Sequence, residues 1–296
     1  MRTLTSLLCL VLVLSCKNPS SESNSLHHDK ETSNKAQQDT ILDTVAFLDE
    51  ETLEFTTEKT KPLKKQILIN APDDKFQLST LVIAKEFYKE EDMYILDYKY
   101  PFLNEKLDEG YTSFNNFLTE NYLNIEATEN EILEDKYVYC DSIGVGRCMD
   151  KRIIDYKIYA VNEELISMVL YKENYYSGMK HSTYMFECLN YDLTKYGFKH
   201  FQDFFIPGSE KEIFEIINAT VREQINSGEL YLDCWELSQG DFQAYKNNFV
   251  INDDHVEYYF DDCIICPSYT GTYSIKIPIK KVMHLIKKYN NKPLIG

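Results

Sequence analysis

The chain contains one strongly apolar internal segment, Leu165-Ile166-Ser167-Met168-Val169-Leu170-Tyr171, in which Ser167 alone interrupts the aliphatic and aromatic side chains. A short apolar run without alternation is typical of a strand that is buried on both faces. Residues 152–161 before it and residues 184–193 after it are also rich in strand-forming side chains. Because the three segments follow one another closely, the sequence predicts a central antiparallel meander.

Segments on the N-terminal side of the meander indicate both strands and helices. Residues 77–84 and 93–100 have the composition of paired strands, and the charged segment 85–92 between them is predicted to form the turn. Apolar side chains recur at helical spacing from Tyr111 to Leu123, with polar residues on the opposite face. This pattern predicts an amphipathic helix whose aromatic side is buried.

A second helix is predicted to begin at Ser209 and to end at Gly228. Ser209 and Glu212 match a capping box, in which the two side chains bond backbone N–H groups that the first helical turn leaves free. The later predicted strands are 256–260 and 273–277, and the last predicted helix lies in 279–289.

The fold class follows from the order of these elements. Strands occur in succession with helices between groups, and alternating βαβ units are absent, which indicates the α+β class. We expect antiparallel sheets with amphipathic helices packed on them, in two closely associated subdomains, residues 44–177 and 178–296. Of the 296 residues, 44% are hydrophobic, which suits a globular protein with a sizeable core.

The charge balance restricts the partners. With 31 basic and 48 acidic residues, the chain has a formal net charge of −17. Protein–nucleic acid affinity depends on lysines and arginines that neutralise phosphates. The sequence therefore predicts no nucleic-acid partner.

The N-terminus has the pattern of an export signal. Arg2 precedes an apolar stretch that ends in Ser15-Cys16, and a small residue before a cysteine suits cleavage and lipidation of that cysteine. We expect a signal peptide over residues 1–15, a lipidated Cys16, and a flexible tether over residues 16–43, which are mostly polar. The chain is thus predicted to be a bacterial lipoprotein, anchored to a membrane of the cell envelope and either periplasmic or surface-exposed. A plain secretory signal is the alternative.

Six further cysteines predict disulfides, because an exported protein meets an oxidising environment. Cys140 and Cys148 flank a turn-forming segment and are the best candidate pair. Cys263 and Cys266 are separated by two residues, for which a structural disulfide is expected, with a metal site and a redox motif as alternatives. The candidate disulfide cysteines are Cys140, Cys148, Cys188, Cys234, Cys263 and Cys266.

Motifs of common catalytic machinery do not occur in the sequence. It contains no nucleophile elbow, no phosphate-binding glycine loop, no HExxH helix and no EF-hand loop. We therefore expect no catalytic residue, no metal and no cofactor. The catalytic alternative is a glycan-modifying enzyme in which His181 and Asp261 or Asp262 serve as acid and base.

Several short motifs, taken in order, carry a family resemblance. Two of them are Tyr175-Tyr176-Ser177-Gly178-Met179-Lys180-His181 and Asn190-Tyr191-Asp192-Leu193. The others are Tyr98-Lys99-Tyr100-Pro101, Phe114-Asn115-Asn116-Phe117-Leu118, the apolar run 165–171, Phe201-Gln202-Asp203-Phe204-Phe205, and Phe260 with Pro267, Gly271 and Ile275-Lys276-Ile277-Pro278. Their succession resembles the paired extracytoplasmic domains of RsiV-type, lysozyme-responsive anti-sigma factors, which also occur beside some peptidoglycan deacetylases. Cys263 and Cys266 replace residues usual in that family, which suggests a disulfide private to this chain.

The resemblance implies a non-catalytic binding module for lysozyme or cell-wall material, acting as an inhibitor or sensor. The expected partners are a basic protein such as lysozyme, or peptidoglycan fragments. Tyrosines are common anchors of interfaces, so a turn that carries them is the candidate contact. The candidate partner-binding residues are Tyr175, Tyr176, Gly178, Lys180 and His181. A structural or assembly lipoprotein of the envelope is the alternative.

Overall fold

The computed structural model describes residues 78–139, 149–179, 181–289 and 292–293. The strands are β1 (Val82–Glu91), β2 (Tyr94–Leu103), β3 (Asp150–Val161), β4 (Leu165–Tyr175), β5 (Thr183–Asp192), β6 (Gly197–Phe198), β7 (Phe249–Ile251), β8 (His255–Tyr259), β9 (Ser274–Pro278), β10 (Lys288–Tyr289) and β11 (Lys292–Pro293). The α-helices are α1 (Leu78–Leu81), α2 (Thr112–Phe117), α3 (Ile125–Tyr139), α4 (Phe201–Phe204), α5 (Glu210–Ser227), α6 (Gln239–Tyr245) and α7 (Ile279–Val282). A π-helical turn (Leu118–Leu123) continues α2.

The larger sheet contains six strands in the order β1 to β6. All neighbouring pairs are antiparallel except β2 and β3, which run parallel. A parallel pair needs a crossover connection, and here α2 and α3 lie between the two strands in the chain. The predicted meander is confirmed as β3, β4 and β5, and the α+β class is confirmed, with one parallel pair that the sequence pattern did not predict.

β4 lies in the interior of the fold, because the two faces of this strand are covered by different elements. Met168 and Leu170 belong to the core that contains the α2 side chain Phe114. Val169 and Tyr171 point to the other face and pack with β7 and β8. All four β4 side chains are at most 3% exposed. The apolar run 165–171 therefore reflects burial on both faces, as predicted.

The second layer is a three-stranded antiparallel sheet in the order β7, β8, β9. Its far side is covered by α5, whose Ile213, Ile217 and Val221 are fully buried. The helix ends where predicted, at Gly228, which adopts a left-handed φ of 79°. The structure thus has three packed layers in this region: the large sheet, the small sheet and α5.

Three local predictions are wrong. The charged segment 85–92 is mostly part of β1, an edge strand whose exposed faces accommodate charged side chains. Ser209 has a helical φ and ψ, and its buried hydroxyl has no hydrogen-bond partner among the described residues, so the capping box does not form. The final helix, predicted over 279–289, is shorter: α7 continues into a 3₁₀ turn (Met283–Leu285) and ends there, because the backbone of Leu285 and Lys287 instead bonds to the chain at Ile206 and Phe204.

The cysteines differ from two of the predictions. A disulfide joins Cys234 to Cys266, so the predicted bridge between Cys263 and Cys266 is wrong. Cys266 faces the core at 2% exposure, whereas the Cys263 sulfur lies 3.0 Å from the Ser268 hydroxyl. Cys263 is itself disulfide-bonded.

Cys188 was predicted to join a disulfide, and this too is wrong. It is a free, buried thiol on the face of β5 that packs against Val250 and Tyr259, where no other described cysteine lies. Burial raises the pKa of this thiol well above its usual value. Cys16, Cys140 and Cys148 lie outside the described residues, as do the signal peptide and the tether.

The predicted boundary between subdomains, at residues 177 and 178, falls between β4 and β5 of one continuous sheet. Across the described ranges, no helix is long and apolar enough to cross a membrane.

Candidate functional site

The candidate partner-binding residues lie in the β4–β5 turn (residues 175–182), at one end of the large sheet. Tyr175 is the last residue of β4 and is 39% exposed, and Met179 is 45% exposed. His181 is also exposed, and Lys180 lies outside the described residues. Gly178 has a φ of 84°, a left-handed conformation that favours glycine. The turn therefore presents an aromatic and a thioether side chain to solvent.

A group of buried and partly buried polar side chains binds this turn on its protein-facing side. We call this group the Asp150 cluster (Lys136, Asp150, Arg152 and Ser177). Asp150 Oδ1 accepts hydrogen bonds from Lys136 Nζ and from the Ser177 backbone N–H, the latter at 2.8 Å. Asp150 Oδ2 accepts from Arg152 Nη2 at 3.0 Å, and Lys136 Nζ also donates to Ser177 Oγ at 2.6 Å. Helix α3, strand β3 and the turn are thereby joined at one carboxylate.

Arg152 extends the cluster to the tyrosines. Its Nη1 donates to the carbonyl oxygen of Tyr175 at 3.1 Å, and its guanidinium lies 4.1 Å from the centre of the Tyr176 ring. A guanidinium at this distance over an aromatic face is a cation–π contact. Both tyrosines are thus positioned by one buried arginine, Tyr175 through its backbone and Tyr176 through its ring.

The charge state of Asp150 follows from its surroundings. Burial raises the pKa of the carboxyl, but hydrogen bonds from Lys136 and Ser177 and the charge of Arg152 lower the pKa by more, so the pKa lies below its usual value. Asp150 is 4% exposed, Lys136 5% and Arg152 6%. Asp150 is therefore an ionised carboxylate between two buried cations.

No sequence motif indicates this cluster. Lys136 and Asp150 are 14 residues apart, and neither belongs to a recognised motif. A weak signal did exist, because Asp150 and Arg152 alternate with half-buried residues at the start of a strand and so occupy its buried face. Nothing in that pattern identifies Lys136 as the partner.

The two aspartates of the catalytic alternative bind the first residues of β5, the strand that follows the turn carrying His181. Asp261 Oδ1 accepts from the Phe186 backbone N–H at 2.9 Å, and Oδ2 accepts from the Tyr245 hydroxyl at 3.0 Å. Asp262 donates its backbone N–H to the carbonyl oxygen of Tyr184. Both aspartates secure the start of β5.

A cleft of about 430 Å³ runs along the outer edge of β5, beyond the short β6. Its lining combines aromatic side chains with polar ones: Phe117, Phe198, Tyr245, Glu187, Lys199 and Asn247. Within the described part of the chain, no group of three or more His, Cys, Asp and Glu residues is arranged to hold a metal ion.

Asn248 closes this edge of β5. Its Oδ1 accepts from the Cys188 backbone N–H at 2.7 Å, and its Nδ2 donates to the carbonyl oxygens of Phe186 and Tyr259, both at 2.9 Å. One side-chain amide thus pairs with β5 as a neighbouring strand would, and also connects β5 to β8. The edge is therefore not free to pair with an added strand.

The fold and the turn together define an α+β domain that presents a braced loop at the end of its main sheet. The family model DUF3298, which describes proteins of unknown function, matches residues 202–280, from α4 into α7. No curated protein matches the chain.

Two solved structures share the fold. A DUF3298 family member from Bacteroides fragilis NCTC 9343 has a TM-score of 0.52 and 16% identity, and the match covers 70% of this chain and 93% of that one. A DUF3298 family protein from Pseudomonas aeruginosa PAO1 has a TM-score of 0.51 and 17% identity, covering 72% and 95%. The chain is thus similar in fold to DUF3298 proteins, while the anti-sigma factor and deacetylase contexts of the resemblance remain predictions.

Proposed function

We propose that this protein is an envelope lipoprotein that acts as a non-catalytic binding module for a basic protein of the lysozyme type, through the β4–β5 turn. The observation that carries the proposal is the Asp150 cluster, which fixes an exposed aromatic turn before any partner arrives. Binding through a preorganised loop loses less conformational entropy than binding through a mobile one.

Charge supports the same kind of partner. The net charge of −17 attracts a basic protein over long range and increases the rate of encounter. Long-range attraction between exposed charges is largely screened at physiological salt, because the Debye length there is about 8 Å. Binding that depends on this attraction alone would be lost. Retention of binding at physiological salt therefore distinguishes a specific contact from charge attraction.

The test is a titration of the purified chain with hen egg-white lysozyme at low and at physiological salt, with lytic activity followed in parallel. We expect binding at both salts, and we expect Tyr175→Ala to weaken it by about 1 to 2 kcal/mol, as truncation of an interface anchor does. Tyr88→Ala is the matched control, since Tyr88 is 62% exposed on the edge strand β1. Absence of binding at both salts would overturn the proposal in favour of an assembly role. If the two variants bind equally well, the β4–β5 turn is not part of the binding surface.

The lipid anchor is tested separately. We expect Cys16→Ser to abolish incorporation of labelled fatty acid in a bacterial host and to shift the protein from the membrane pellet to the supernatant, because Cys16 is the proposed acceptor. Cys9→Ser, a change within the proposed signal peptide, should leave labelling intact. Labelling that persists in Cys16→Ser would contradict the lipoprotein assignment.

A further inference from the structure

A second exposed element lies in the connection between α5 and α6; we call it the Leu232 loop (residues 231–235). Leu232 is 85% exposed and Tyr231 is 44% exposed. A single exposed leucine is ordinary on a protein surface and indicates nothing by itself. The surroundings of Leu232 are what make it unusual.

A disulfide and three hydrogen bonds hold the loop in place. The disulfide between Cys234 and Cys266 fixes it to the β8–β9 connection (residues 260–273). Trp235 donates its backbone N–H to Ile265 and its indole N–H to Ile264, both to carbonyl oxygens at 2.9 Å. Within the loop, the Cys234 N–H donates to the Tyr231 carbonyl oxygen at 3.0 Å, which closes a tight turn around Leu232. The leucine is therefore displayed on a braced turn.

A side-chain contact adds to this brace. The hydroxyl of Tyr269, in the β8–β9 connection, donates to the carboxylate of Asp233, and the Tyr269 ring packs edge-on against Tyr231. Tyr231 and Asp233 thus both face the β8–β9 connection, and Leu232 between them is left to solvent.

The same connection binds the start of β5, the strand that follows the β4–β5 turn. Asp262 donates its backbone N–H to Tyr184, and Asp261 accepts from Phe186, at the beginning of β5. β5 starts at Thr183, directly after the turn. The β8–β9 connection therefore links the Leu232 loop to the base of the turn, so that two preorganised apolar elements are attached to one support.

Charges around the loop indicate the chemistry of the opposing surface. Glu229, Asp233 and Glu236 are all exposed and flank Leu232, and Arg222, which pairs with Glu236 at 2.5 Å, is the one cation that ion-pairs with these three in the described ranges. A second copy of this chain would bring like charges together. A basic surface with an apolar depression complements both features.

We infer that the Leu232 loop is a second anchor of the binding surface, and that Leu232 enters an apolar pocket with a basic rim on the partner. This inference rests on the proposed function, since it assigns a further contact to the same partner. The acidic rim of the loop selects the basic surface, and burial of Leu232 in the partner's pocket slows dissociation.

The experiment repeats the titration of the full chain with hen egg-white lysozyme, using Leu232→Ala. We expect the dissociation constant to rise by about tenfold or more, mainly through faster dissociation, as for an interface anchor. The dependence on salt should stay unchanged, because no charge is altered. Leu107→Ala is the matched control, since Leu107 is 58% exposed and lies between β2 and α2. Its affinity should equal that of the unchanged chain.

The outcomes separate the two proposals. If the unchanged chain binds, Tyr175→Ala weakens binding and Leu232→Ala does not, the inference is overturned and the proposed function stands. If the unchanged chain does not bind at either salt, both are overturned. Because Leu232 is 85% exposed, its truncation leaves the fold intact, and a circular dichroism melt of each variant verifies this.

Discussion

Replacing Asn248 by alanine should destabilise the protein by about 3 to 5 kcal/mol, because three backbone groups lose their partner and each such loss costs about 1 to 3 kcal/mol. The groups are the N–H of Cys188 and the carbonyl oxygens of Phe186 and Tyr259. Total stabilities of domains are about 5 to 15 kcal/mol, so a loss of this size is a large fraction.

Urea denaturation followed by tryptophan fluorescence measures this effect. Asn247→Ala is the matched control: it is the neighbouring asparagine, and its side chain accepts one bond, from the Phe201 N–H at 2.9 Å. We expect the control to lose about 1 kcal/mol. A loss in Asn248→Ala no greater than in the control would show that the amide does not connect β5 to β8.

Asn248→Asp separates the two halves of the interaction. The aspartate keeps an acceptor for the Cys188 N–H but has no donor, and it places a negative charge beside the carbonyl oxygens of Phe186 and Tyr259. We expect it to be at least as destabilised as Asn248→Ala. A near-normal stability of Asn248→Asp would indicate that only the acceptor bond matters.

Replacing Asp150 by alanine should destabilise the protein by about 3 to 5 kcal/mol, because breaking a buried ion pair leaves an uncompensated buried charge. Here two cations are left, Lys136 and Arg152, and among the residues described Asp150 is the only carboxylate that either contacts. Asp253→Ala, at an exposed site between β7 and β8, is the control and should change stability by less than about 0.5 kcal/mol.

The same cluster predicts a pH dependence. The pKa of Asp150 is lowered on folding, so the carboxylate contributes stability that is fully present above its unfolded pKa of about 4 and is lost as the pH falls through the folded pKa. Asp150→Asn removes this titrating group. We therefore expect the stability of the variant to fall less steeply with decreasing pH than that of the unchanged chain. Parallel curves between about pH 5 and pH 2 would contradict this.

Much of the fold could be predicted because local patterns reflect local burial. The run 165–171 is apolar on both faces since helix α2 covers one side of β4 and the small sheet covers the other. The helix over 210–227 ends at the C-terminal glycine that the pattern predicted, Gly228. The charged residues at 85–92 predict a turn but mostly form a strand, because an edge strand has few buried positions and so carries little apolar pattern.

The candidate site could be located but not explained from sequence. Tyrosines, a glycine and a histidine in one short segment predicted an exposed turn, and the structure places Tyr175, Gly178 and His181 there. What stiffens that turn is a carboxylate from β3 and an ammonium from α3. Such partners are distant in sequence, and charged residues leave no periodic trace that identifies a pair.

The amino-acid order thus specified the features that depend on near neighbours: the α+β class, the meander, the two main amphipathic helices and the position of the turn. Only the tertiary structure revealed the features that depend on contacts between segments distant in the sequence. The parallel pairing of β2 with β3, the disulfide between Cys234 and Cys266, and the amide of Asn248 at the edge of β5 all join residues from separate elements. Hydrophobic periodicity encodes which face is buried, but it does not encode which other segment buries it.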